Sequence, residues 1–210
     1  MTSRPEAAVS LAERKRRLVA DELAEAAMQL LAQKGFDAVT VDEIVAAAGV
    51  SKRTFFRYFA SKEDVVVRFL ADLGSGIRAE LAARPADESP SLALRHSVSV
   101  PLAACADHSD RALHVVQLIL RTPALHARFL ERQAQWREDL TEELAARHGL
   151  DSASALYPAL AAGTALTAFN TVLQHWSESD GDRDALQLIA EAFTVIAPAL
   201  DGPDSGTSAV

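Results

Sequence analysis

Several residue types are scarce in this chain of 210 residues, and each scarcity excludes something. There is one cysteine, Cys105, so no disulfide can form within the chain. Aromatic residues make up only 6%, while Ala and Leu dominate, a composition that favours helix over sheet. Glycines and prolines are few and fall mostly between periodic stretches. No run of roughly 18 apolar residues predicts a membrane span. The opening MTSRPEAAVSLAERKRR is charged and lacks the apolar core of a signal peptide. A soluble, cytoplasmic protein with no membrane partner is therefore expected. Catalytic motifs are missing too. None of the histidines His96, His108, His114, His126, His148 and His175 lies in HExxH. The cysteine offers no CxxC, and no GxSxG, P-loop or GxGxxG occurs. Glu142 and Glu143 read as a solvated pair on a polar helix face. No metal, cofactor or catalytic residue is expected, and an enzyme would need a triad assembled from distant residues.

What is present is uneven charge and strong helical periodicity. The formal net charge is −8. Residues 1–70 hold 11 of the 21 Lys+Arg and 10 of the 29 Asp+Glu, leaving 10 and 19 for residues 71–210. The first part is thus near neutral and the second strongly acidic. All four lysines lie in the first part. An acidic whole argues against nucleic acid binding over the entire surface, but leaves room for a local basic face.

Residues 1–9 read as disordered. Helical spacing of Leu11, Leu18, Val19, Leu23, Ala26, Ala27, Leu30 and Leu31 predicts a helix from Ser10 to about Lys34, closed by Gly35. Thr40 caps a second helix with Glu43 as its capping-box partner, and Val41, Ile44, Val45 and Ala48 form its apolar face. Gly49 ends it. Ser51 starts a short third helix to about Phe59. Ser61 caps a fourth, with Asp64 in the reciprocal position, running to about Leu81. Two helices joined by only Gly49, Val50 and Ser51 carry the mark of a helix-turn-helix. Residues 82–91 read as a loop. Helices follow near 91–105, 109–121, 123–148, 152–178 and 183–200, with Pro101 kinking or shortening the first. The tail from Asp201 reads as mobile. The fold class is all-α: a helix-turn-helix domain over 10–60, a connecting helix over 61–81, and a larger helical domain over 91–200.

The third helix carries the functional signal. Four basic and four aromatic residues, with no acid, lie between Val50 and Lys62. At 100° per residue, Phe55 and Phe59 fall together with Tyr58 on one flank, while Lys52, Arg53, Phe56 and Arg57 spread over the opposite side. One side is built for packing and one for presenting cations. Arg can hold guanine O6 and N7 as a fork, and an apolar group can touch a thymine methyl. Thr40, Ser51, Thr54, Tyr58 and Lys62 surround that face and complete the candidate DNA-binding set. The competing reading is an ordinary solvated charged face.

The stretch Thr40–Lys62, TVDEIVAAAGVSKRTFFRYFASK, resembles the N-terminal signature of TetR-type transcriptional regulators. The resemblance covers about residues 11–70. It implies that Lys52, Arg53, Thr54 and Arg57 touch bases or nearby backbone, that Tyr58 and Lys62 meet phosphate, and that Thr40 opens the supporting helix. Members of the family usually carry Tyr where this chain has Phe56, so a phenol–phosphate bond is not expected there. The resemblance further implies a two-fold dimer, an inverted-repeat operator in double-stranded DNA and a small-molecule effector held by the C-terminal part. On that basis the expected function is a ligand-released repressor, in which effector tilts the fourth helix. The alternative is a helical ligand-binding or interaction module that never meets DNA.

For the C-terminal part, the last two helices are rich in small and apolar residues, which suits packing against a second copy or a core within one subunit. Along 123–148, Leu125, Phe129, Trp136 and Leu140 form a stripe with Arg132 inside it. Arg132 is read as a carboxylate or phosphate anchor, a partner of a buried acid, or an edge residue reaching water. His114, Gln117, Phe129, Arg132, Trp136 and Asn170 are the candidate effector-binding residues. LRTPALHARFLERQAQWRE also resembles a branch of the family associated with acyl-CoA-type ligands.

Overall fold

The structure, a computed structural model, describes residues 11–106, 109–151 and 156–201. The expectations for residues 1–9 and for the tail beyond Asp201 lie outside the described residues. The helices are α1 Leu11–Lys34, α2 Val41–Ala47, α3 Lys52–Tyr58, α4 Lys62–Ala83, α5 Pro90–Ala106, α6 Ser109–Arg121, α7 Pro123–Arg147, α8 Leu156–Glu178 and α9 Ala185–Leu200. No strand occurs among the described residues. The chain divides into two compact units, residues 1–66 and 67–210, and the division falls inside α4.

In the N-terminal unit, α1 packs on α2 and α2 on α3, burying Ala20, Leu23, Ala27, Met28 and Leu31 of α1, Ile44 of α2 and Phe55 of α3. Leu18, part of the periodic set, stays largely exposed and so lies off the packed face. α2 begins with a complete capping box. The Glu43 N–H donates to the Thr40 hydroxyl at 3.3 Å, and the Thr40 N–H donates to the Glu43 carboxylate at 2.9 Å. α2 ends in a Schellman turn. Val50 N–H donates to Val45 O at 3.0 Å and Gly49 N–H to Ala46 O at 3.3 Å, with Gly49 at φ 65°. The expected Asp64 bond is shifted by one residue. Asp64 N–H donates to Ser61 Oγ at 3.3 Å, but its carboxylate accepts from Ala60 N–H at 2.8 Å rather than from Ser61.

The C-terminal unit is a helical assembly in which α8 packs on α5, α6, α7 and α9. Its core is formed by Leu94, Leu102, Leu125, Leu140, Phe169, Val172, Trp176, Ile189 and Phe193 among others. By length and composition α8 could cross a membrane, but half of its apolar stretch is buried against these helices, as a core helix requires. Pro101 does not shorten α5, which continues to Ala106. One missing N–H costs one backbone bond, and packing of α5 on α9 outweighs it. The ends of this unit are clasped: Ser91 donates through N–H and Oγ to the Asp201 carboxylate at 2.8 and 2.9 Å, and Tyr157 donates to Leu200 O. Burial and the Asp201 charge push the Tyr157 phenol upward, so it stays a donor.

Five side chains of α7 hold the 67–83 part of α4. Trp136 rests on Gly74. Asp139, Glu142 and Glu143 face the Arg78 guanidinium at 3.6, 3.8 and 3.9 Å; Glu142 is solvent-exposed, while Glu143 is partly buried. Arg147 donates to Leu81, Arg84 and Pro85 carbonyls at 3.3, 2.9 and 2.6 Å, capping the end of α4.

Candidate nucleic-acid interface and effector site

α3 has the two-sided character its sequence implies. Phe55 and Phe59 are buried with ring centroids 5.6 Å apart, while Lys52, Arg53 and Arg57 are exposed and Phe56 is 55% exposed. Ser51 fixes the start of the helix by accepting from Thr54 N–H at 3.1 Å, and its Oγ lies 3.0 Å from that of Thr54. Two buried aromatic anchors and a capped start therefore orient the cations without using them. The Arg53 guanidinium has no ion-pair partner among the described residues. Arg57 folds over Tyr58, 4.9 Å from the ring centroid and 3.1 Å from the hydroxyl. Lys52 pairs with Asp42 at 2.8 Å, both well exposed.

Two surrounding candidates are engaged inside the unit. The Thr40 hydroxyl belongs to the capping box. Lys62 donates to Phe36 O at 2.5 Å and Val39 O at 3.0 Å, with its ammonium 4.2 Å from the Phe36 ring centroid. Two of its three N–H groups are thus occupied, leaving one to point elsewhere. The neighbouring Glu43 carboxyl is lowered to about 2, first by the Lys34 hydrogen bond at 2.7 Å, then by the backbone and hydroxyl of Thr40. Sequence reasoning missed Asp42 and Phe36. Neither pairing leaves a local signal, because their partners are distant in the chain.

In the C-terminal unit the six candidates do not converge on one point. Phe129 and Trp136 are buried with an edge-to-face contact at 5.9 Å, and Phe169 adds a second ring at 6.4 Å from Trp136. Asn170 and the buried Gln133 exchange two hydrogen bonds, Gln133 Nε2–H to Asn170 Oδ1 at 2.5 Å and Asn170 Nδ2–H to Gln133 Oε1 at 2.6 Å. Gln117 ties α6 to the end of α8 through Ser177 O at 3.1 Å and Asp180 at 3.0 Å. His114 faces solvent rather than the interior. Arg132 is half-exposed and forms no ion pair among the described residues. A groove of about 530 Å³ between α7 and α8 is lined by Leu130, Gln133, Arg137, Leu160, Thr164 and Asn170.

The seating of Trp136 on Gly74 was not foreseen. A Cβ on Gly74 would lie 2.0 Å from Trp136 Nε1 and 2.3 Å from Cδ1, so the pyrrole edge rests on the α4 backbone. That Nε1–H is buried and has no hydrogen-bond partner among the described residues. An unmade buried donor costs about 1–3 kcal/mol.

Residues 23–69 match the bacterial regulatory proteins of the tetR family, and residues 88–201 match the MftR C-terminal domain. The HTH-type transcriptional regulator TcmR of Streptomyces glaucescens is 32% identical over 189 residues, covering 87% of this chain and 84% of TcmR. The transcriptional regulator MftR of Mycobacterium tuberculosis is 30% identical over 192 residues, covering 90% of this chain and 94% of MftR. Among solved structures, FadR from Bacillus subtilis in complex with stearoyl-CoA aligns with a TM-score of 0.63 at 19% identity, over 84% of this chain and 96% of FadR.

Proposed function

The chain belongs to the TetR family of bacterial transcriptional regulators, and from that premise we propose that it is a repressor released from an inverted-repeat operator by a small apolar effector. It acts in the cytoplasm, without catalytic activity of its own. The observation that carries the DNA reading is the exposed row Lys52, Arg53, Phe56 and Arg57 above buried Phe55 and Phe59. Arg53 and Arg57 read base edges in the major groove. Phe56 replaces a phosphate contact with an apolar one. Lys52, Thr54, Tyr58 and the remaining N–H of Lys62 meet the backbone. Positioning contacts of this kind make affinity fall with salt.

The second copy is proposed to pack on α8 and α9, where Leu156 and Val195 are 72% and 80% exposed and Leu160 is exposed beside them. Two-fold symmetry would then set the reading helices about 34–36 Å apart, one turn of DNA. The effector is proposed to enter the C-terminal unit near the Phe129, Trp136 and Phe169 rings. FadR from Bacillus subtilis holds stearoyl-CoA on the same fold, and it is the acyl chain and carbonyl of such a molecule, not its charged headgroup, that would suit these rings. Effector binding then weakens operator binding by the coupling free energy, typically about 1–3 kcal/mol. Selection of bound fragments from random duplexes, followed by footprinting, tests the reading. An inverted repeat protected at low salt is expected; no salt-sensitive binding to any duplex would sink it.

A further inference from the structure

Buried tryptophans ordinarily find an acceptor for their N–H, but Trp136 has none among the described residues. Its pyrrole edge lies instead on Gly74, and the stretch Gly74–Ser75–Gly76 is where α4 is intrinsically weakest. Two glycines lower helix propensity, and Ser75 Oγ donates back to Ala71 O at 3.1 Å, a bond that tends to bend helices. Phe129 and Phe169 flank the indole. The buried polar residues described in this unit are Ser91, Ser97, Gln133 and Ser177, none of them charged. Ser97 donates to Ala93 O, and Gln133 is satisfied by Asn170. Arg132, one turn before Trp136, shares its charge with water. The buried Arg68 Nε lies 3.8 Å from the Asp72 carboxylate, so a carboxylate at Trp136 Nε1 would compete with Asp72 for that charge. A donor-only group in an apolar setting selects an acceptor without charge.

We propose that Trp136 is the effector's hydrogen-bond donor: an apolar, uncharged molecule bearing a carbonyl oxygen accepts from Nε1–H and draws the indole off Gly74, releasing α4 at its Gly-Ser-Gly segment. This rests on the reading above that effector enters the C-terminal unit, and it adds the ligand's chemical class and the contact that senses it.

Two measurements test it on the full chain. In protein labelled with ¹⁵N-tryptophan, Trp176→Phe assigns the two indole signals. Fluorene and 9-fluorenone, dodecane and 2-dodecanone, and dodecanoate are then titrated. The ketones are expected to move the Trp136 indole proton downfield and to bind about tenfold tighter than their hydrocarbons, a difference that Trp136→Phe abolishes. Ketones that bind no better than the hydrocarbons, or more weakly than dodecanoate, overturn the proposal. Second, without ligand, Gly74→Ala should lower operator affinity about tenfold, because its Cβ must expel the indole. Adding Trp136→Leu should restore it. Gly76→Ala, whose Cβ meets only Val100 at 3.8 Å, should not reproduce the loss. Wild-type binding in Gly74→Ala, or no rescue in the folded double variant, defeats the coupling. A wild type that binds no operator would instead defeat the repressor reading, while the indole titration still judges this one.

Discussion

Lys62 and Arg57 show how one cation differs from another on the same small unit. Lys62 is tied to two backbone carbonyls, so Lys62→Ala should destabilise the protein by about 1–3 kcal/mol without any DNA present, read by urea unfolding. Among the described residues Arg57 is held only by Tyr58, and Arg57→Ala should leave unfolding nearly unchanged. Its operator affinity should fall by roughly 1–3 kcal/mol, with relaxed preference at one base position. Equal unfolding midpoints for Lys62→Ala and wild type would show that the carbonyl contacts are idle. Glu43 gives a pH signature. Its folded value of about 2 lies below its ordinary 4.5, so its stabilising contribution is full above 4.5 and fades as pH falls toward 2. Glu43→Gln should flatten thermal stability across that window, with its full loss at neutral pH and little change near pH 2.

At the scale of elements, the caps and glycines made the helices readable. Thr40, Ser51, Gly49 and Pro123 mark ends within a residue of where they fall, because capping is chemistry between near neighbours. Gly49→Ala should cost about 1 kcal/mol in thermal unfolding, since φ is 65° there although no atom lies near the added Cβ. What stayed illegible depends on partners far apart in sequence. The wheel of α3 correctly separated Phe55 from Arg53, but nothing local told that Asp42 would meet Lys52. The stripe on α7 correctly buried Phe129 and Trp136. It could not reveal that Gly74 admits the indole, nor that α6 would turn His114 to solvent. Pro101 shows the same limit: its local penalty was legible, while the packing that carries α5 on to Ala106 was not.

For the whole molecule, acidity is confined largely to the C-terminal unit, and the reading face is the exception. Repulsion between the acidic part and DNA should discourage any approach except through α3. Asp42→Ala removes an acid beside that face and releases Lys52, so it should strengthen binding to all duplexes similarly and steepen the salt dependence. A gain restricted to one sequence would contradict this. Association should also respond to α8: Leu160→Glu is expected to shift the protein to a monomer in sedimentation and to weaken operator binding with it. The clasp of Ser91 by Asp201 bears on how the molecule can be engineered. Because the carboxylate that fastens the beginning of α5 sits just after α9, a reporter is best spliced downstream of Asp201. Cutting the gene even one codon earlier should leave α5 unfastened and the product prone to proteolysis.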